Sequence, residues 1–258
     1  MSVLVCFHAH PDDEVFNTGG VMRLAADAGH RVVLVTATDG ALGEYPEGIL
    51  APGQSLADRR RLELEESARV LGADRVVMLG YADSGMAGTE DNSNPVAFAN
   101  VDRDTASRRL ADILTEERTD VLTIYDANGG YGHPDHIRVH DVGVRAAEIA
   151  GIENVYESTV NRDHFRELVK ANPAWEENDS SVPDIEQMGL PADQITTAVN
   201  VVAAMPAKRA AMHAHATQIG DFGPFRDMPD EQLAAAFGTE WFRRVGAPAG
   251  TKETALPL

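Results

Sequence analysis

Short apolar runs alternate with longer segments of helical periodicity along most of this 258-residue chain. Runs that stay apolar at successive positions are typical of strands buried on both faces of a parallel sheet. The predicted strands are residues 3–7, 31–38, 75–80, 121–126, 154–159 and 195–201. Because helical segments separate them, the pattern predicts consecutive βαβ units. We therefore expect an α/β protein with a Rossmann-like, mostly parallel sheet and helices on both faces.

Helical spacing of apolar residues fills most of the intervals between these strands. The predicted helices are residues 12–29, 56–72, 102–120, 134–152, 206–219 and 230–237, and the first two end at Gly29 and Gly72. Glycine commonly closes a helix at this position. With no internal repeat and no clear linker, residues 1–258 are expected to form a single domain. The acidic, proline-interrupted stretch 172–191 is expected to be either a lid or a surface loop.

The charge of the chain limits its partners. Forty-one acidic residues against 22 basic ones give a net charge of −19, which argues against nucleic acids and anionic membrane surfaces. No apolar run is long enough to span a bilayer, and the sequence shows no signal-peptide pattern. The single cysteine, Cys6, excludes an internal disulfide and fits a reducing compartment. We expect a cytoplasmic protein that acts on a small molecule, and assembly into a homo-oligomer stays open.

Histidines and aspartates are concentrated where two predicted strands end. Residues 8–13 follow the first strand, and residues 131–136 follow the fourth. Carboxyl ends of parallel strands meet at one edge of the sheet, where such folds bind ligands. Imidazole and carboxylate groups are ligands for a divalent transition metal. His10 and Asp13 are one helical turn apart, so they can point at one ion, and His136 would supply a third ligand.

A purely structural interpretation exists for each of these residues alone. Asp12 or Asp13 can serve as the N-cap of the following helix. His8 alternates with His10 along a strand and is expected to point elsewhere, either to a supporting position behind the ligands or into the core. The remaining histidines are expected to be structural, namely His30, His140, His164, His213 and His215. Capping does not explain two such clusters at two strand ends, so the metal site is the favoured interpretation.

The motifs AHPDDE at residues 9–14 and GHPDH at residues 132–136 together resemble the LmbE-like or PIG-L superfamily of zinc-dependent N-acetylglucosamine deacetylases. The likeness continues through TDGALGE, RRLELEESARVLG, DSGMAGT, KRAAMHAHATQI and AAAFGTEWF, and so covers most of the chain. Within the superfamily, the sequence is most similar to the actinobacterial branch that includes the deacetylase of mycothiol biosynthesis and mycothiol S-conjugate amidase.

The resemblance implies a role for each residue of the two motifs. His10, Asp13 and His136 would hold Zn²⁺, with Fe²⁺ or another divalent ion as the alternative. Asp12 would be the general base for the zinc-bound water. Two further roles are implied beside it: His133 would assist the tetrahedral intermediate, and the mobile Tyr131 would help to polarise the amide carbonyl.

The resemblance also implies a substrate. Glu44, Arg60 and Asp83 match positions associated with the hydroxyls of an amino sugar. The expected reaction is hydrolysis of the N-acetyl amide of an N-acetylglucosamine-containing small molecule, with release of acetate. The alternatives are an amidase acting on a mycothiol-type or other glucosamine conjugate, a non-catalytic metal-dependent sugar-binding protein, and a two-histidine, one-carboxylate iron oxygenase. The extra carboxylate of Asp12 counts against the last two, which need only the ligands.

Overall fold

A computed structural model describes residues 1–171, 185–220 and 225–258, and these contain one seven-stranded sheet. The strands are β1 (Val3–His8), β2 (Arg31–Thr38), β3 (Arg75–Tyr81), β4 (Val121–Tyr125), β5 (Asn154–Thr159), β6 (Thr197–Asn200) and β7 (Thr239–Arg244). Their order across the sheet is β3-β2-β1-β4-β5-β7-β6. The pairs among β1 to β5 are parallel, and β7 is antiparallel to both of its neighbours. The predicted mostly parallel α/β fold is confirmed.

The helices of the described residues lie between these strands. They are α1 (Asp13–Asn17), α2 (Gly19–Asp27), α3 (Leu56–Leu71), α4 (Arg103–Glu117), α5 (Pro134–Ala150), α6 (Arg162–Ala171), α7 (Met205–Ala214) and α8 (Asp230–Phe237). The single helix predicted over 12–29 is wrong, because it is broken at Thr18, whose φ of −145° lies outside the helical region. Close packing accompanies the break: a Cβ at Gly20 would lie 2.4 Å from the Cβ of Val201.

Alternate residues of β1 face two separate apolar layers. Leu4 and Cys6 belong to a core cluster that includes residues of α2, α3, α7 and α8, whereas Val5 and Phe7 belong to a second cluster with residues of α4 and α5. This division follows from the two-residue side-chain period of a strand. Helices therefore cover both faces of the sheet, as predicted.

Strand β7 and helix α6 are absent from the sequence-based prediction. In β7 the inward-facing residues are Glu240 and Phe242, which are both buried. Glu240 accepts hydrogen bonds from the backbone N–H groups of Gly20 and Val21 at 2.7 and 2.8 Å, and it pairs with the Nζ of the buried Lys208 at 2.7 Å. A buried charged residue interrupts the apolar pattern that marks a strand.

Strands β1 to β4 are four of the five parallel strands and end at the same edge of the sheet, and the connections that follow them extend over that edge. These connections are residues 9–12, 39–55, 82–102 and 126–133. They carry all of the predicted site residues outside α1, α3 and α5. In the parts of the chain that the structure describes, no helix is long and apolar enough to cross a bilayer.

Candidate metal centre

Three buried side chains from β1–α1 and α5 converge on one point. The Nε2 of His136 lies 3.3 Å from the Nδ1 of His10 and 3.2 Å from the Oδ1 of Asp13, and the Nδ1 of His10 lies 3.4 Å from the Oδ2 of Asp13. Atoms bound at 2.0–2.1 Å to a tetrahedral zinc ion lie roughly 3.3 Å apart. The nearest atoms of the three predicted ligand residues have this spacing, with His10 and His136 facing different oxygens of Asp13.

In His10 and His136, the ring nitrogen that points away from the common point, here called the outer nitrogen, faces a hydrogen-bond acceptor. The Nε2 of His10 lies 3.2 Å from Oδ2 of Asp135, and the Nδ1 of His136 lies 3.2 Å from the carbonyl oxygen of Gly129. Because these acceptors have no hydrogen to give, the outer nitrogens carry the protons. Once the inner nitrogens are deprotonated, they present lone pairs to the common point, which is the arrangement that metal-bound histidines need.

The electrostatic field at this point favours a cation. Burial lowers the pKa of His10, but the carboxylates of Asp13, Asp135 and Asp83 outweigh it and hold this pKa well above its ordinary value. Burial raises the pKa of Asp13, but His136 and His10 outweigh it and hold this pKa well below its ordinary value. A group of carboxylates that stabilises a proton on His10 also stabilises a divalent ion held by the same side chains.

His133 is oriented as a hydrogen-bond donor. It is the N-cap of α5, and its Nδ1 accepts a hydrogen bond from the backbone N–H of Asp135 at 3.1 Å. Its Nε2 therefore carries the proton. Burial, together with His10 and His136, lowers the pKa of His133 to about 4, so the ring is neutral. Ring nitrogens of His10, His133 and His136 all lie within 4.8 Å of one another. In this tautomer, however, His133 Nε2 carries a hydrogen and has no lone pair for a metal ion.

Asp12 has a strained backbone and a largely buried carboxylate, with 19% of the side chain exposed. Its φ is 105° and its ψ is −30°, values that L-residues rarely adopt. It precedes α1, but its side chain makes no capping hydrogen bond, so the helix-cap interpretation of Asp12 is wrong. Its Oδ2 instead pairs with the Nη2 of Arg60 at 2.9 Å. Burial raises the pKa of Asp12 to about 6, with Arg60 opposing the increase and Asp13 adding to it.

Tyr131 and Glu44 are the exposed members of the predicted site. The Tyr131 ring lies 4.9 Å from the His136 ring, edge to face, and 41% of the residue is exposed. Gly130 and Gly132 flank it with φ values of 77° and 92°, conformations that glycine adopts without strain. The exposed Glu44 lies on the 39–55 connection, and its carbonyl oxygen accepts a hydrogen bond from Gln218 Nε2 at 2.9 Å.

Arg60 and Asp83 are buried and anchor the two long connections. Arg60 donates to the carbonyl oxygens of Gly40 and Pro11 at 2.7 and 2.5 Å. Asp83 accepts from the backbone N–H groups of Gly85 and Leu42 at 2.9 and 3.2 Å. Burial raises the pKa of Asp83, but His10 and these backbone donors outweigh it and lower the pKa.

Sequence analysis assigned no role in the site to three buried residues, which are Asp135, Tyr125 and His215. Asp135 accepts hydrogen bonds from Ser84 N and Ala99 N, both at 2.9 Å, while its Oδ2 faces His10. The Tyr125 hydroxyl lies 2.8 Å from His8 Nδ1, which places His8 behind the centre. The third is His215, paired with Glu14. Asp135 lies inside the GHPDH motif, which is the one sequence signal for it.

The stretch 172–191 lies partly outside the described residues, so its role as a lid or a surface loop stays a prediction for 172–184. The described part contacts the connection that bears Tyr131. Gly189 N donates to the carbonyl oxygen of Gly130 at 2.9 Å, and Asn128 Nδ2 donates to the carbonyl oxygen of Gln187 at 2.8 Å.

The fold and the site together define an α/β protein with a candidate histidine–carboxylate metal centre and a further carboxylate, Asp12, at its edge. The sequence profile of the GlcNAc-PI de-N-acetylase family (PIG-L) matches residues 5–147. The chain belongs to this family, as its motifs predicted.

Curated relatives match over nearly the whole chain. A 1D-myo-inositol 2-acetamido-2-deoxy-alpha-D-glucopyranoside deacetylase of Acidothermus cellulolyticus is 40% identical, over 96% of this chain and 91% of the relative. A protein of the same name from Thermomonospora curvata is 37% identical, over 94% and 90%.

Solved structures with this fold are more distant in sequence. N,N'-diacetylchitobiose deacetylase from Pyrococcus horikoshii is 22% identical, with a TM-score of 0.59 and coverage of 95% of this chain and 84% of that chain. The 4-carboxy-2-hydroxymuconate hydratase of Pseudomonas putida is 19% identical, with a TM-score of 0.59 and coverage of 99% and 100%. Since this fold supports both reactions, the fold alone does not specify the activity.

Proposed function

We propose that this protein is a metal-dependent deacetylase that hydrolyses the N-acetyl amide of an N-acetylglucosamine-containing small molecule and releases acetate. The observation that carries the proposal is the largely buried carboxylate of Asp12, which is next in sequence to the proposed ligand Asp13 and close enough for the two charges to interact. A site that only binds a ligand needs no such carboxylate. Family membership and the printed names of the curated relatives support the same reaction.

The donor set of His10, Asp13 and His136 fits Zn²⁺, and Fe²⁺ or another divalent ion fits the same residues. When bound, such an ion polarises the amide carbonyl and makes water a nucleophile near neutral pH. The protein supplies everything else. It must bind and orient the sugar, move one proton from water to the departing amine, and stabilise the negative charge on the amide oxygen.

Asp12 is proposed as the group that moves the proton. Its carboxylate accepts a proton from the attacking water as the new C–O bond forms, and returns it to nitrogen as the C–N bond breaks. The products are acetate and the free amine, so atoms and charges balance. His133 Nε2–H is proposed to donate to the amide oxygen as it becomes negative, and Tyr131, beside His136, to add a second donor.

Glu44, Arg60 and Asp83 are proposed to select the sugar. Glu44 and Asp83 would accept hydrogen bonds from ring hydroxyls. Arg60 would contribute to the same subsite by holding the carbonyl of Gly40 and the carboxylate of Asp12. The names of the curated relatives make a glucosaminyl-inositol the first candidate substrate, and a mycothiol-type or other glucosamine conjugate the alternative.

Residues 1–258 are proposed to act as one cytoplasmic domain on a small molecule. The test is release of primary amine from a panel of N-acetylglucosaminides by purified protein loaded with a defined metal. We expect turnover that depends on stoichiometric metal. Metal-dependent binding of these sugars without any release of amine or acetate would instead establish a sugar-binding protein, and oxygen consumption would establish an oxygenase.

A further inference from the structure

The peptide group between Pro11 and Asp12 is held at both of its polar atoms by buried charged side chains. Its carbonyl oxygen accepts a hydrogen bond from Arg60 Nη2 at 2.5 Å, and its N–H donates to Glu14 Oε2 at 3.0 Å. Arg60 and Glu14 are both buried. Because the peptide group is planar and rotates as a unit, bonds at its two ends fix its orientation.

This orientation sets the strained backbone of Asp12. Among the described residues, the non-glycine positions with positive φ are Asp12 and Arg118, and Arg118 at 55° lies in the ordinary left-handed region. Asp12, at 105°, does not. The torsion φ turns about the bond between N and Cα, so an N–H group held by Glu14 opposes relaxation of Asp12. Relaxation would swing its carboxylate away from its present position.

Glu14 is itself held by two other parts of the chain. Its Oε1 accepts a hydrogen bond from Ser67 Oγ of α3 at 2.5 Å, and it lies 2.6 Å from Nε2 of His215, which follows α7. All three residues are fully buried. We call Glu14, Ser67 and His215 the Glu14 clamp. Ser67 and His215 come from separate parts of the chain and both hold Glu14, which alone bonds to the backbone of Asp12.

We infer that Glu14 and His215 are positioning residues for Asp12. The hydrogen bonds described for their side chains include none to a proposed ligand atom, and they act through the N–H group that fixes φ of Asp12. The inference rests on the proposed role of Asp12 as the general base. It also corrects the expectation that His215 has only a structural part in the core.

Two substitutions of Glu14 separate its acceptor function from its volume. Glu14→Leu removes both oxygens, whereas Glu14→Gln keeps one acceptor for the Asp12 N–H. The glutamine side chain brings an N–H group that faces His215 Nε2. This N–H group can donate to Nε2 if the ring proton of His215 moves to Nδ1, which has no hydrogen-bond partner among the described residues. We expect Glu14→Leu to lower kcat by roughly tenfold to a hundredfold, as small misplacements of a reacting group do. KM and metal content should stay unchanged, and Glu14→Gln should recover most of kcat.

Glu240→Gln is the matched control. Glu240 is also a buried carboxylate that accepts backbone N–H bonds, from Gly20 and Val21, but it makes no contact with Asp12. We expect Glu240→Gln to lower thermal stability and leave kcat of the folded, metal-loaded protein unchanged. An equal loss of kcat in Glu240→Gln, or loss of metal in Glu14→Leu, would overturn the inference.

Hydrogen exchange at the Asp12 amide tests the same inference without substrate. The amide should exchange slowly in the wild type and faster in Glu14→Leu. If Glu14→Leu does not fold, His215→Phe, which leaves the Ser67 bond in place, should give smaller changes of the same sign. If the wild type is active and these substitutions leave exchange at the Asp12 amide unchanged, the clamp is overturned. If the wild type is instead inactive and exchange at its Asp12 amide still becomes faster in Glu14→Leu, the proposed function is overturned and the clamp is supported.

Discussion

The Nη2 atom of Arg60 lies 2.9 Å from the Oδ2 atom of Asp12 in a largely buried ion pair. Burial disfavours the charged carboxylate, and Asp13 beside it does the same, whereas the guanidinium favours it. The net result is a pKa of about 6 for Asp12. Since a general base must be deprotonated to accept a proton, this pair should set the lower pH limit of activity if Asp12 is the base, as proposed.

The first prediction concerns that limit. As the pH falls through the pKa of Asp12, kcat/KM should fall with the fraction of deprotonated carboxylate. Arg60→Met removes the positive charge that lowers this pKa, so the fall should move to higher pH. A bound metal ion would lower the pKa in both proteins and leave the direction of the difference unchanged. The measurement is the pH profile of kcat/KM at saturating metal.

Arg61→Met is the control for this profile. Arg61 pairs with Glu65 on the exposed face of α3, and both side chains are about half exposed. It should leave the acid limb of the profile in place. A limb that stays unchanged in Arg60→Met, or moves to lower pH, would contradict the assignment of that limb to Asp12.

The second prediction concerns the metal. His136→Ala removes one of the three proposed ligands and should abolish stoichiometric metal, measured by elemental analysis, while the circular dichroism spectrum stays that of the folded protein. His140→Ala is the matched control, because His140 lies one turn further along α5 and faces the Tyr125 carbonyl and Glu157. It should retain the metal. Full occupancy in His136→Ala would show that the ligand set is wrong.

The third prediction separates catalysis from metal binding. Asp12→Ala should keep its metal and lose about 10²–10⁴-fold in kcat, the usual contribution of a general acid–base group. His133→Ala should also keep its metal and lose more in kcat than in KM, because a donor to the developing negative charge acts mainly in the transition state. Loss of metal in Asp12→Ala together with an unchanged kcat in His133→Ala would reverse these roles.

The fold was predictable wherever burial produced an uninterrupted apolar run. The strands β1, β2 and β4 are buried along nearly their whole length, and all three were predicted from that pattern. Strand β7 was missed because Glu240 occupies an inward position, where three donors from two distant elements compensate its charge. No local pattern reveals such a compensation before the tertiary contacts are known.

In the site, too, some residues could be assigned from the sequence, whereas others depend on tertiary contacts. His10, Asp13 and His136 could be proposed as ligands because their chemistry and their places at strand ends are visible in the sequence. The parts played by Asp135 and His215 were not visible. They depend on which ring nitrogen of His10 faces a carboxylate and on a contact between residues 14 and 215. The strain at Asp12 likewise follows from bonds made by Arg60 and Glu14, not from its neighbours in sequence.

The last prediction concerns the substrate. If Glu44 and Asp83 contact sugar hydroxyls, an acetylated amine without hydroxyls loses both contacts. The buried Asp83 then lacks this partner at a cost of about 1–3 kcal/mol, whereas water replaces the hydroxyl at the exposed Glu44 and the cost is smaller. Because ~1.4 kcal/mol corresponds to a factor of ten in rate, loss of the Asp83 contact alone should lower kcat/KM by roughly tenfold or more. The measurement compares N-acetylglucosamine, an N-acetylglucosaminyl-inositol analogue and N-acetylcyclohexylamine.

Glu44→Gln makes this comparison specific to one contact. Glu44 lies on the 39–55 connection and is exposed, so the substitution should leave the fold and the metal centre intact. It should lower kcat/KM for the two sugars, mainly through KM, because a hydroxyl contact remote from the amide is made in the ground state and the transition state alike. It should not affect N-acetylcyclohexylamine, which has no hydroxyl to lose. Equal kcat/KM values for all three compounds in the wild type, or an equal effect of Glu44→Gln on all three, would exclude sugar recognition by these loops and leave a metal-dependent amidase without selectivity for the ring.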